Sequence, residues 1–188
     1  MPLGDILFGR KKLKGPARDR LFAMTTAAVT LDISCGLKPS GVAALVYKPL
    51  SAGEFAQADT DAEQLVKSVA ESSGSTLERK QDSFGFQWLI VRDPDLEDQV
   101  TAVYALANEL TAHGFGGQLL AAAFRFDGGD HPVYWIYGFK TGTFWPFVPT
   151  GGQERDNARE LQLKAQLEQE LPVEPDLTKW FGLFDAPI

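Results

Sequence analysis

The sequence predicts an α+β domain: an antiparallel β-sheet with helices packed against it. Three observations carry this expectation. Two stretches, 60–73 and 93–113, repeat apolar residues at helical spacing and are bounded by start and stop signals. Short runs rich in β-branched and aromatic residues lie around them. Residues 118–126 and 133–140 flank a turn-rich link, the mark of a hairpin. The 188 residues suit one domain, given ~100–200 residues per domain. Hydrophobic residues make up 44% and charged residues 23%, so the chain can build a core and wholesale disorder is excluded.

Taken in order, residues 17–37 carry two competing periods. Leu21, Met24, Ala28 and Leu31 recur at helical spacing, whereas Val29, Leu31 and Ile33 alternate as in a strand; short helices are expected. Residues 41–47 (GVAALVY) read as a buried strand stopped by Pro49. Thr60 and Glu63 form a capping box, Ala62, Leu65, Val66, Val69 and Ala70 an apolar stripe, and Gly74 ends that helix. Residues 75–81 read as a polar strand. In 84–92 (FGFQWLIVR), Phe84, Phe86, Trp88 and Ile90 share one face and Leu89 and Val91 the other.

The next helix has the strongest signals. Asp93 is its expected N-cap and Pro94 its first residue, where a missing N–H is harmless. Asp95, Glu97 and Asp98 complement the positive helix end. Leu96, Val100, Val103, Tyr104, Ala107 and Leu110 form the buried stripe. His113 falls in the last turn and Gly114 fits a left-handed stop. The link Asp127-Gly128-Gly129-Asp130 tolerates positive φ and joins the two strands of the hairpin. Residues 143–149 (TFWPFVP) hold Pro146 and Pro149, which confines them to an edge strand or an extended stretch. Gly151-Gly152 precede a helix expected over 154–171, stopped by Pro172 and Pro175, and an extended tail runs to Ile188.

The expected order is therefore β-α-β-β-α-β-β-α. Its first six elements match the split β-α-β of ferredoxin-like sandwiches. Without the first strand it reads as helix–hairpin–helix–hairpin–helix, the order of secretion-chaperone-like domains. Three parts follow: a basic arm over 1–16, an α+β core over 17–150, and a helix and tail over 151–188 packed on the same domain.

Charge is distributed unevenly. The chain has 18 Lys+Arg and 25 Asp+Glu, net −7. Residues 1–20 hold Arg10, Lys11, Lys12, Lys14, Arg18 and Arg20 against Asp5 and Asp19, a local +4 that leaves −11 for the rest. Nucleic acid is not an expected partner, because a duplex binder needs several phosphate-facing cations on one surface and this acidic chain gathers basic charge only in its first 20 residues. The single Cys35 excludes an internal disulfide and suits a reducing compartment. The N-terminus lacks the pattern of a signal peptide, and no window approaches eighteen uninterrupted apolar residues; a cytoplasmic protein is expected.

Chemical motifs are sparse. His113 at a helix end is explained by the dipole, His131 with Asp127 and Asp130 by a solvated turn, and Cys35 as an inert thiol. Gly114-Phe115-Gly116-Gly117 follows a helix and lacks the spacing of a phosphate cradle. The aromatic cluster Tyr134, Trp135, Tyr137, Phe139, Phe144, Trp145 and Phe147 reads as sheet core rather than as a base-stacking platform, since only Lys140 supplies local positive charge. No catalytic residue, cofactor or metal site is expected, and the protein reads as a non-enzyme.

Two segments stand out as contact surfaces. On the last helix Leu163, Leu167 and Leu171 lie on one side and Ala158, Leu161 and Ala165 almost opposite. Two stripes point to contact on both sides, by folding into a groove or by meeting a second chain. Partner contacts are expected at Leu163, Leu167 and Leu171, with Arg155, Asp156, Asn157 and Glu160 at the helix start and Glu174, Asp176 and Trp180 in the tail. Capping and local pairing are the plainer roles for the polar members. In the arm, Leu3, Ile6 and Leu7 beside Arg10, Lys11, Lys12 and Lys14 suit contact with an anionic lipid surface, against the plainer alternative of a solvated terminus.

Several segments together resemble the PspA-associated protein PspAB family. They are Leu7-Phe8-Gly9-Arg10, Gly36-Leu37-Lys38-Pro39-Ser40-Gly41, 83–91 (SFGFQWLIV), 113–120 (HGFGGQLL), 140–149 (KTGTFWPFVP), 155–163 (RDNARELQL) and 170–177 (ELPVEPDL), with Trp180. Thr25 stands where the family pattern has proline, and the pattern has more tyrosine around Phe139 and Trp145. The resemblance implies an accessory protein of the phage-shock envelope-stress response, cytoplasmic or at the inner face of the membrane. Its expected partner is a PspA-like coiled-coil protein or another stress component; an HtpX-type membrane protease is a common neighbour. The family brings no catalytic residues that could be carried over. The expected function is a non-enzymatic interaction protein that binds its partner through the C-terminal helix and tail; the alternatives are a peripheral membrane sensor using the basic arm, or an enzyme whose site at His113, His131 or the Arg155–Glu160 cluster carries no recognised motif.

Overall fold

A computed structural model describes residues 17–48 and 74–188, together with Gln57, Thr60, Asp61, Gln64, Lys67, Ser68 and Glu71. Its centre is β1 (Lys38–Tyr47), whose last six residues are all buried. Both faces of this strand are covered, which explains an uninterrupted apolar run in place of alternation. β2 (Thr76–Gln81), β3 (Gln87–Arg92), β4 (Leu119–Asp127), β5 (Val133–Gly138) and β6 (Thr143–Phe147) complete an antiparallel sheet in the order β2-β3-β1-β4-β5-β6. Leu45 of β1 faces Leu89 of β3 on one side and Ala122 of β4 on the other. β1 between β3 and β4, with β2 outside β3, is the interleaving of a split β-α-β, and β5 and β6 extend it as a meander. The molecule is α+β with an antiparallel sheet, as its sequence predicts.

The helices expected within 17–37 and the edge strand allowed at 143–149 add to the order, and one boundary moves. α1 (Ala23–Cys35) precedes β1, because the helical period of Met24, Ala27 and Leu31 prevails over the alternation of Val29 and Ile33. Residues Thr143–Phe147 form a full sixth strand, at the sheet edge that Pro146 requires. Residues expected to open the last helix instead make β8 (Glu154–Arg155), paired with β7 (Pro149–Gly151).

α1, α2 (Leu96–Ala112) and α3 (Asn157–Leu167) cover one face of the sheet, sharing a core with Leu45, Leu89, Phe124, Trp135 and Phe144. A 3-10 turn, Ala17–Phe22, leads into α1 and is tied to its neighbours by the Tyr104 hydroxyl donating to Asp19 (2.9 Å) and Arg20 donating to the Gly142 carbonyl (3.0 Å). α2 starts later than its sequence signals suggest. Asp95, not Asp93, is the N-cap, its carboxylate accepting from the Glu97 N–H at 2.8 Å. Asp93 is buried and drawn elsewhere: it accepts from the Ser75 hydroxyl and from the Asp95 N–H. Pro94 consequently lies outside the helix. Gly114, with φ +87°, makes the expected left-handed stop. Gln57 is already helical, so Thr60 lies inside its helix and is not the cap; the apolar stripe assigned there lies outside the described residues.

Among the described residues, the C-terminal tail covers the opposite face. Ala44, Ala121 and Ala123 leave a shallow trough along the middle of the sheet, with Trp88 and Ile90 on one side and Tyr134, Trp145 and Phe147 on the other. Leu183, Ala186 and Ile188 of the tail lie against these residues. Side-chain donors hold the tail backbone: the Tyr134 hydroxyl donates to the Ile188 carbonyl (2.9 Å) and the Trp145 indole to the Phe181 carbonyl (3.0 Å). The Phe144 N–H donates to the Pro172 carbonyl (2.8 Å), and Val173 pairs with Phe144 as a parallel bridge beside β6. The aromatic cluster is thus core on both faces: Trp135, Tyr137, Phe144 and the half-buried Phe139 pack with the helices, and Tyr134, Trp145 and Phe147 lie under the tail. The exposed edge β2 carries Glu78, Arg79 and Lys80, charges that discourage pairing with another sheet.

One core residue makes a direct stability prediction. Tyr137 is fully buried, and its hydroxyl has no hydrogen-bond partner among the described residues. Burial pushes that hydroxyl up to about 12. The unfolded chain loses this proton near its usual value of about 10. Stability is therefore intact below about pH 10 and falls as pH rises toward the folded value. Tyr137→Phe is expected to flatten this alkaline loss and to add about 1 kcal/mol at neutral pH by removing an unpaired polar atom. Urea denaturation at pH 7 and at stepped alkaline pH checks it; an unchanged alkaline slope with lower stability contradicts it.

Candidate interaction surface

α3 begins where β8 ends, and the junction is tightly fastened. Asp156 is the N-cap, accepting from the Arg159 N–H at 2.9 Å. The Arg155 Nε donates to both oxygens of Glu160 (2.9 and 3.0 Å), and one terminal nitrogen donates to the Trp180 carbonyl (2.8 Å). The guanidinium also sits 5.0 Å from the Phe147 ring centre, a favourable cation–π distance. Glu160 is buried and accepts in addition from the Val148 N–H at 2.8 Å. Burial pushes its carboxyl up, while Arg155 and the Val148 N–H pull it down. These residues are five apart and belong to different elements, so their pairing is tertiary and not the local helix pairing expected from sequence.

The expected contact residues divide into two groups. Leu163, Leu167 and Leu171 are buried in this chain's own core. They are not available to a partner, because a helix over β6 must seal the sheet with one apolar stripe. Ala158, Leu161 and Ala165 on the other side are exposed. In the tail, Glu174 is buried and accepts from the Thr143 hydroxyl (2.9 Å) and the Asp176 N–H (3.1 Å). Trp180 is buried too, its indole donating to the Glu174 carbonyl at 2.9 Å. Asp176 caps the 3-10 turn Leu177–Lys179, and the Thr178 hydroxyl and N–H hold its carboxyl below the usual range. Glu174 and Trp180 therefore shape the tail and present little of themselves to a second chain, whereas the Asp176 carboxylate caps its turn and stays half-exposed. Asn157 is exposed at the helix start.

A hollow of about 160 Å³ opens at this junction, lined by Arg155, Asn157, Glu160, Leu161, Leu177 and Trp180. Leu161 is 47% and Leu177 49% exposed at its sides. The remaining terminal nitrogen of Arg155 is buried with no partner among the described residues. Chemically, the site offers two apolar contacts beside the Arg155–Glu160 pair.

Other candidates do not converge. His113 bonds Glu109 at 3.0 Å on its own helix, and His131 is exposed. The Cys35 thiol donates to Gln166 at 3.2 Å, and burial pushes it up, away from the reactive thiolate. Among the described residues, no three His, Cys, Asp or Glu side chains group as metal ligands, and no helix is long and apolar enough to cross a membrane. Leu3, Ile6, Leu7, Arg10, Lys11, Lys12 and Lys14 lie outside the described residues.

The family described as PspA associated protein B (PspAB) matches residues 1–188, the whole chain. This chain belongs to the PspAB family. Membership links it to PspA. No curated protein and no solved structure matches the chain. Within this PspAB chain, sequence reading put Phe84 on a strand face and singled out neither Leu177 nor Phe181 as a contact residue, although all three are exposed. A usable signal was present: Phe84 sits in a Ser-Phe-Gly turn and Phe181 three residues before another phenylalanine, apolar groups in turn-forming surroundings.

Proposed function

We propose that this PspAB chain is a non-enzymatic binding protein, cytoplasmic and acting at the inner face of the membrane in the envelope-stress response. Its partner is a PspA-type coiled-coil protein, bound by the exposed face of α3 and the adjoining turn at 177–179. The observation that carries this reading is the hollow between the half-exposed Leu161 and Leu177. Apolar side chains of a partner helix would cover the two leucines. Contact residues of this kind are energetically concentrated, with a few groups carrying most of the affinity. Family membership supports PspA as the protein concerned.

The test measures binding of cognate PspA to the full chain by biolayer interferometry. Leu161→Glu and Leu177→Glu change half-exposed residues, so the fold is expected to survive, as thermal unfolding would verify. Each is expected to weaken binding about tenfold or more, a loss of about 1.4 kcal/mol. Val29→Glu, on the exposed face of α1, is expected to leave binding unchanged. Undiminished affinity in both leucine variants, or no binding by the unaltered chain, overturns the proposal.

A further inference from the structure

A second hollow, of about 230 Å³, lies between the β2–β3 turn and the tail. Phe84, Phe86, Trp88 and Phe184 line it, and two carboxylates, Asp82 and Asp185, stand among them. Its shape is built, not incidental. Asp82 ties the turn by accepting from the N–H groups of Phe84 and Phe86 and from the Trp88 indole, each at 2.9 Å. Phe184 is set edge-on against Phe147, ring centres 5.0 Å apart. Gly182 allows this close packing, since a Cβ there would meet the Phe184 ring at 2.5 Å.

All three described donors to Asp82 are neutral. Among the described residues no Lys or Arg pairs with Asp82 or Asp185, and Lys80 near the turn is engaged by Glu78. Phe84 is 69% exposed although it belongs to this aromatic group. Aromatic faces carry negative charge and attract cations, arginine above all. Aromatic rings with two carboxylates that no described cation pairs, in a chain of net charge −7, complement a positive group better than an apolar one.

We propose that this hollow receives a basic side chain, arginine or lysine, from a partner protein. The volume accommodates a guanidinium or ammonium with its last methylenes. The site is a second contact beside the one on α3, and it rests on the proposed binding role only for the source of the side chain.

The test titrates N-acetyl-arginine amide into the full ¹⁵N-labelled chain, with no partner present. N-acetyl-citrulline amide, its neutral isostere, and phosphocholine are the comparison probes. The Trp88 indole N–H and the Phe84 and Phe86 amides, all bonded to Asp82, are the reporters. A saturable millimolar response to arginine, weakened by added salt and absent with citrulline, is expected. Phe84→Leu and Asp185→Asn change exposed residues and are each expected to weaken it about fivefold. An equal response to citrulline, or none to arginine, overturns the proposal. So does saturation by phosphocholine alone, which would assign the hollow to a lipid head group. An arginine response that emerges only when Arg10, Lys11, Lys12 and Lys14 are changed to glutamine would assign it to the chain's own basic segment and overturn it as well. Failure here leaves the α3 reading standing, because PspA is absent from the titration; loss of PspA binding in the leucine variants leaves this site untouched.

Discussion

Glu160→Ala is expected to destabilise the fold by about 3–5 kcal/mol, the range for breaking a buried ion pair from one side. The substitution leaves the largely buried Arg155 guanidinium without its carboxylate and the Val148 N–H without its acceptor. Orphaned donors of this kind are expensive because water cannot reach them. The pair itself need not be strongly stabilising, since removing two charges from water nearly offsets their attraction. Arg155→Met/Glu160→Leu is therefore expected to recover a large part of the loss. Recovery will be incomplete, because Arg155 also holds the Trp180 carbonyl and covers the Phe147 ring. Urea denaturation gives these values; a loss under about 1 kcal/mol for Glu160→Ala would mean that the pair is solvated and the junction looser than described.

Trp180→Ala is expected to cost about 3–5 kcal/mol, the range for truncating a buried aromatic. Trp180 joins Ile136, Trp145 and Phe147 under the tail, and its indole N–H holds the Glu174 carbonyl. Phe181 next to it is 67% exposed, so Phe181→Ala is expected to be nearly neutral. The contrast between adjacent aromatics makes the pair informative. If the tail is the second layer of the sheet, Trp180→Ala also speeds proteolytic cleavage after Lys179, whereas Phe181→Ala does not. Equal effects of the two substitutions would contradict the placement of the tail.

Local signals were readable where local chemistry decides the structure. The stripe of α2, its glycine stop and the β4–β5 hairpin follow from side-chain period and turn residues alone. Boundaries moved where a distant group intervened. Asp93 looks like a helix cap until Ser75, eighteen residues away, engages its carboxylate. Arg155 and Glu160 look like members of one helix until β7 pairs with Glu154–Arg155 and starts the helix later. The two-sided pattern of α3 was visible, but which side seals the core depends on the position of β6. Glu174, Asp176 and Trp180 drew attention by their composition, yet their bonds run within the tail. The tail-covered trough could not be read at all, since it arises from Ala44, Ala121 and Ala123 meeting across two strands.

The contact faces follow from that same tail. By folding back over the sheet it sets Leu177 opposite Leu161 at one hollow and Phe184 opposite Phe84 at the other. A single irregular segment thus completes the core and frames the binding sites proposed for the chain.

Amide hydrogen exchange of the full chain with and without cognate PspA tests the binding role most directly. Slowed exchange in 157–165 and 176–182 on adding PspA, with none on the exposed side of α1, is the predicted result. Unchanged exchange in both segments, or protection centred on the exposed side of α1, would contradict it.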